Sequence, residues 1–240
     1  MKTPSRILLV CAVIILAILA LNFTDKLSQH PVNREGEQVR AQNFVDSTPQ
    51  HDETYAAAPV NITVNFNLDI VPGSKISVLD ANRLEWAEGE VLIEGTNTIL
   101  KRGTRPGMPD GNYMVNYTAC RADGACGDGQ FKFSIDSTKL WEYQDLRGQS
   151  EVTIKMRDFK FDAAKIIISP ATRVTWINED EDGHYVNTET HPQHTYFPSQ
   201  NSREIKSGET FETIFETVGQ YNYHCSAHWP QMVGSIIVSR

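Results

Sequence analysis

From residue 42 to 136, apolar and polar side chains alternate in short runs. Ile62, Val64, Phe66 and Leu68 interleave with Asn61, Thr63, Asn65 and Asn67. Tyr113, Val115 and Tyr117 repeat the pattern, as do Phe131, Phe133 and Ile135. Successive side chains of a strand point to opposite faces, so a period of two marks strands with one buried face. Turn signals such as Val71-Pro72-Gly73-Ser74 and Pro106-Gly107-Met108-Pro109-Asp110-Gly111 separate the runs. Short alternating strands punctuated by Gly and Pro predict an antiparallel β-sandwich over 42–136. Alternation stops over 137–149, a linker whose Leu140, Trp141 and Leu146 should dock it on a domain. It resumes with Val152, Ile154 and Met156, then Phe159 and Phe161, and predicts a second antiparallel sandwich over 150–240. Nothing downstream of residue 21 has helical spacing.

The amino terminus differs. Lys2 and Arg6 precede an unbroken apolar run of fifteen residues, Ile7 to Leu21. These are the basic and apolar regions of an export signal, assigned here to residues 1–21. No small-x-small cleavage site follows Leu21, and the run is at the short limit for spanning a bilayer. An uncleaved helical anchor with its basic end in the cytoplasm is expected, followed by a polar tether over 22–41. The fold class is therefore all-β: two antiparallel sandwiches behind a hydrophobic signal or anchor helix. The protein should lie in the periplasm or another extracytoplasmic space, anchored or secreted.

The chain has 240 residues and a formal net charge of −8, which gives no electrostatic footprint for nucleic acid. Of its four cysteines, Cys11 lies inside the apolar run. Cys120 and Cys126 are close in sequence and, in an exported chain, read as a disulfide. That leaves Cys225.

Tyr221, Tyr223 and Cys225 share one strand parity, so Cys225 ends its strand pointing inward. The loop after it brings His228 and Met232 back toward the thiol. Upstream, the strand around Trp176 runs into the acidic stretch Glu179-Asp180-Glu181-Asp182, and His184 follows. Two imidazoles, a thiolate and a weak thioether are the ligand set of a blue-copper electron-transfer site. His184, Cys225, His228 and Met232 are thus the candidate ligands of one type 1 copper. His191 and His194 are rivals for the place of His184, a separate surface site with Glu189, or solvated loop residues; the last reading is favoured. His224 has the opposite parity to Cys225 and should point away from the metal. The acidic stretch is either a solvated loop or a patch that steers a basic redox partner. Trp229 and Pro230 should give the exposed edge of His228 an apolar collar.

These residues carry a resemblance. Val174-Thr175-Trp176-Ile177-Asn178-Glu179-Asp180 with His184-Tyr185-Val186, then Gly208-Glu209-Thr210-Phe211, Gly219-Gln220-Tyr221-Asn222-Tyr223-His224-Cys225 and Met232-Val233-Gly234 resemble the plastocyanin/azurin cupredoxins. The resemblance implies a Greek-key sandwich and the four ligands just named. One departure is that three residues separate His228 from Met232, where two or four are more usual. The earlier segment is similar to CopC-type copper-resistance domains, through Phe44-Val45-Asp46-Ser47-Thr48-Pro49, Asp110-Gly111-Asn112-Tyr113 and Gly129-Gln130-Phe131-Lys132-Phe133. Copper-binding members of that family use an amino-terminal histidine and an Asp-x-His element. Ala41 and Ala125 occupy those positions, so no metal ligand is expected in this domain, with His51 and Asp123 as alternatives. The function implied is one-electron transfer with a protein partner, the alternative being copper capture and delivery in homeostasis or resistance. An enzyme is not expected, because there is no His-x-His pair to build a second copper cluster.

Overall fold

The computed structural model describes residues 36–240. The expected anchor and most of the tether lie outside the described residues. Among the described residues, no helix is long and apolar enough to cross a membrane.

The first sandwich uses eight strands: β1 Phe44–Thr48, β2 Glu53–Tyr55, β3 Asn61–Phe66, β4 Lys75–Leu79, β5 Ala87–Glu94, β6 Ile99–Thr104, β7 Gly111–Cys120 and β8 Cys126–Ile135. They form two sheets, in the orders β1-β3-β6-β5 and β2-β8-β7-β4. The long β7–β8 hairpin follows the sequence alternation closely. Tyr113, Val115, Tyr117, Phe131, Phe133 and Ile135 are buried, while the residues between them are not. A Cys120–Cys126 disulfide closes its tip, as the spacing predicts. The domain also begins earlier than the boundary at 42. Val39 pairs with Gln130, and the N–H of buried Ala41 donates to Tyr117 Oη at 3.1 Å. Polar composition concealed these residues, which gain order from the sheet edge they join rather than from apolar periodicity.

A 3₁₀ turn, Ser137–Glu142, leads into the second sandwich. Its strands are β9 Gln144–Asp145, β10 Glu151–Arg157, β11 Lys160–Phe161, β12 Lys165–Ile168, β13 Thr172–Asn178, β14 Asn187–Thr188, β15 Thr210–Phe215, β16 Gly219–His224 and β17 Val233–Val238. The sheet orders are β11-β10-β13-β15 and β14-β16-β17-β12-β9. The linker is only partly a linker: β9 joins the second sheet beside β12 and Leu146 packs on its core, whereas Trp141 is 83% exposed and docks nowhere.

The pairing is mixed rather than purely antiparallel. β10 runs parallel to β13, β12 to β17, β9 to β12, and β2 to β8. The chain crosses from one sheet to the other between β10 and β13, and so re-enters its first sheet in the same direction; residue alternation cannot register this. Trp176 anchors the core at 0% exposure, against Phe211, Phe215 and Tyr223.

The two sandwiches share a polar seam. All six residues of β3 are buried, including Asn61, Thr63 and Asn65. Their polar face meets the segment 189–197: Asn61 Nδ2 donates to the Tyr196 carbonyl at 3.2 Å, and Thr195 Oγ1 to Asn65 Oδ1 at 2.9 Å. Tyr196 Oη accepts from Val60 N–H at 2.7 Å and donates to the Gln220 carbonyl at 2.8 Å. Gln220 Oε1 accepts from the N–H groups of Ala56 and Ala57. Buried polar groups that find partners in this way hold a surface in one register.

Candidate metal centres

Cys225 follows β16 directly and is fully buried. Its N–H donates to the Met232 carbonyl at 2.9 Å, its carbonyl accepts from His228 N–H at 3.0 Å, and Met232 N–H donates to the His228 carbonyl at 3.0 Å. Those three bonds fold residues 225–232 into a tight turn and return His228 and buried Met232 to the cysteine. His184 arrives from the opposite side, fixed by a paired backbone contact with Ile205. Cys225 Sγ lies 3.7 Å from His184 Nδ1 and 3.3 Å from His228 Nδ1.

These spacings fit one metal ion. Imidazole and thiolate bonds of about 2.05 and 2.3 Å, meeting at roughly 100–120°, separate nitrogen from sulfur by about 3.3–3.8 Å. Cys225 Sγ also accepts from Tyr185 N–H at 3.3 Å.

Asp180 orients His184. Its Oδ2 is 2.8 Å from His184 Nε2 and accepts from Phe159 N–H, while Oδ1 accepts from Asp158 N–H. Burial raises the Asp180 pKa, but the Phe159 N–H, His184 and Asp158 N–H outweigh it and hold the carboxyl below its ordinary range. An ionised carboxylate only accepts, so Nε2 carries the proton and Nδ1 keeps a free lone pair toward Cys225. The acidic stretch is therefore divided. Asp180 is built into the site, Glu179 pairs with Lys155 and Arg157, and Glu181 and Asp182 remain exposed.

The apolar collar over the histidines is not Trp229. Phe159 covers both rings, with centroids 4.8 Å from His228 and 5.8 Å from His184. It sits in a turn where Asp158 and Phe159 both have positive φ, which strand alternation through Phe159 and Phe161 cannot reveal. Trp229 instead stacks on His191 at 5.9 Å and meets His224 edge-on at 5.0 Å.

His191, His194 and His224 form a second group, with ring nitrogens within 4.8 Å of one another. Sequence favours solvated loop positions for the first two; His191 is exposed and stacked on Trp229, whereas His194 is half-buried. His224 points away from Cys225 as its parity predicts, yet it is fully buried. Burial, then the neighbouring His194 and His191, push it down to about 4. Burial and His191 lower His194 as well. The rivals for the place of His184 are thus in a different group. His51 and Asp123 belong to neither. His51 Nδ1 accepts from Lys132 N–H and its Nε2 contacts Asp52, while Asp123 caps the N–H of Ala125.

Residues 44–136 match the family described as CopC domain. Residues 148–239 match that described as copper binding proteins, plastocyanin/azurin family. The chain is a CopC domain followed by a plastocyanin/azurin-family domain. Among solved structures it is similar to CopC from Methylosinus trichosporium OB3b, at 25% identity over 40% of this chain and 94% of that one, TM-score 0.34. It is also similar to a purple cupredoxin from Nitrosopumilus maritimus, at 28% identity over 37% of this chain and 99% of that one, TM-score 0.32. A point mutant of amicyanin in its oxidized state shares 23% identity over 38% of this chain and 83% of that one, TM-score 0.33. Among curated proteins none matches the chain significantly. The two families support copper binding and a role in copper resistance or electron transfer.

Proposed function

We propose that this CopC–cupredoxin chain is an extracytoplasmic, membrane-tethered electron carrier. Its single type 1 copper is held by His184, Cys225 and His228, with Met232 as the weak axial ligand. The observation that carries this reading is the buried Cys225 sulfur between two imidazole Nδ1 atoms, at 3.7 and 3.3 Å. Copper bound there would supply a reversible one-electron couple, since thiolate and imidazole together suit both of its oxidation states.

The chain's own residues prepare that couple. Tyr185 N–H donates to the Cys225 sulfur, Asp180 fixes the tautomer of His184, and the turn over 225–232 holds three donors on one short segment. A frame this constrained need not rearrange when charge changes. Phe159 packs edge-on against both rings, while half-buried His228 leaves an edge near the surface for a partner protein. Asp158, Glu181 and Asp182 supply exposed negative charge near the site, and its effect on a basic partner should weaken with salt.

The test is the absorption spectrum of the copper-loaded full chain and of Cys225→Ser. An intense thiolate-to-copper band in the parent and none in the variant is expected; a variant that keeps the band defeats the reading. The CopC match favours a second reading, copper capture and delivery. A carrier keeps copper through repeated reduction and reoxidation, so loss of Cu(I) to an acceptor protein within one cycle would establish delivery instead.

A further inference from the structure

The group of His191, His194 and His224 takes no part in the Cys225 site. We propose that these three imidazoles form a second, mononuclear metal site that takes divalent copper. Nε2 of His194 and Nε2 of His224 stand 3.1 Å apart. Imidazole–metal bonds of about 2.0–2.1 Å place two adjacent ligand nitrogens of one ion about 2.9–3.4 Å apart. The third ring offers its nitrogen within the same 4.8 Å span.

A fourth group faces the same point. Ser226 Oγ lies 3.1 Å from His194 Nε2 and 3.5 Å from His224 Nε2, and it accepts from Asn187 Nδ2 at 2.8 Å. A hydroxyl held in this way can fix a water or small anion in an open coordination position. Solvent reaches the site from the His191 side. His191 is exposed and lines a groove of about 330 Å³ with Arg40, Asp46, His51 and Thr190.

The donor set selects the ion. Three neutral imidazoles without thiolate or carboxylate suit copper, zinc and nickel, and nitrogen donors bind copper(II) most tightly of the divalent series. Packing alone does not account for the cluster, because His191 is exposed and His194 only half-buried. His194 also adopts φ 52°, and its own loop fixes that left-handed backbone: its N–H donates to the Thr190 carbonyl at 2.6 Å and its carbonyl accepts from Asn201 Nδ2 at 2.8 Å.

The CopC sandwich braces the next residues of that loop. Thr195 and Tyr196, next to His194, are bonded to Asn65, Asn61 and Val60 of the first domain. One ligand therefore comes from β16 of the cupredoxin domain, and the other two from a loop that pairs with β16 through β14 and is braced by the CopC domain. This gives the CopC domain a part in metal binding although His51 and Asp123 stand outside both clusters. His224 and Cys225 are consecutive, so one peptide link joins the two sites.

The proposal is independent of what Cys225 holds, and the test keeps the two apart. The full chain carrying Cys225→Ser is loaded with Cu(II), desalted, and examined by elemental analysis and electron paramagnetic resonance. One copper per chain is expected, with nitrogen couplings from three imidazoles and no thiolate charge-transfer band. Adding His191→Ala and His194→Ala should remove that copper while the far-ultraviolet circular dichroism stays unchanged. In the parent chain, two coppers are expected, falling to one with the two histidine substitutions alone. A Cys225→Ser chain that binds no copper, or whose copper is unaffected by the histidine substitutions, overturns the proposal. Zinc retained against equimolar copper overturns the choice of ion. Should the substituted chains misfold, the parent's electron paramagnetic resonance spectrum decides: absence of a copper(II) signal with three-imidazole couplings refutes the second site.

Discussion

Asp180→Asn isolates the positioning of His184 from the donors themselves. The carboxylate accepts three hydrogen bonds: Oδ1 from Asp158 N–H, and Oδ2 from Phe159 N–H and His184 Nε2. An amide of the same shape accepts at one end only. With its oxygen toward His184, the NH₂ opposes the Asp158 N–H, which is exposed and turns to water at a cost of about 0.5–1.5 kcal/mol. With its NH₂ toward His184, the imidazole must receive a proton at Nε2 and carry its own on Nδ1. That Nδ1 faces the Cys225 sulfur at 3.7 Å and would be unable to bind metal. Loss of such an outer partner weakens metal affinity by roughly 10–100-fold, which corresponds to about 1.4–2.8 kcal/mol. Copper should accordingly raise the stability of the variant less than that of the parent, by that amount. The assay is a chelator-competition titration at the Cys225 site, run with His191→Ala and His194→Ala in both chains, alongside thermal unfolding with and without copper. Equal copper affinity in parent and variant, whatever happens to the metal-free stability, would refute the tautomer argument.

Three further outcomes are expected. Glu53 and Glu189 meet in the seam with Tyr55 and Asn222; burial raises both, and Glu53 adds repulsion that brings Glu189 to about 8. The folded state then holds protons more tightly than the unfolded chain, so stability is highest near the ordinary carboxylate range and falls as pH rises toward 8. Glu53→Gln should flatten that fall in thermal melts between pH 5 and 8, and superimposable profiles would count against it. Gly234 lies opposite Tyr223 across β16 and β17, and a Cβ there would overlap the buried ring. Gly234→Ala should therefore lower stability by at least about 1–3 kcal/mol, read from the urea midpoint. Tyr196→Phe strips the hydroxyl shared by Val60 N–H and the Gln220 carbonyl, which should cost about 1–3 kcal/mol. It should weaken copper at His191, His194 and His224 far more than at Cys225; equal losses at both would show that the seam does not position the histidine loop.

Strand parity and short-range spacing were enough to determine much of this protein. Alternation along Tyr113–Tyr117 and Phe131–Ile135 marks the inner faces of a sandwich, because a pleated strand has one side-chain period and one buried face. Cys225 and His228 could be paired from sequence because the two residues between them cannot carry them apart, and His224 could be turned the other way by parity alone. The Cys120–Cys126 bridge was legible for the same reason. Tertiary structure decided whatever depended on distant segments meeting. The parallel pairings of β10 with β13 and β12 with β17 arise from crossovers between sheets, to which residue alternation is blind. Phe159 reaches the histidines through a left-handed turn, so its parity misleads. The polar faces of β3 and β16 read as solvent-facing because asparagine, threonine, glutamine and histidine alternate with apolar residues on both. They are polar because each faces another part of the chain, and buried polar groups must find partners. His191 and His194 lie thirty or more residues from His224, and it takes the pairing of β14 with β16, braced by the seam with the first sandwich, to bring them to it.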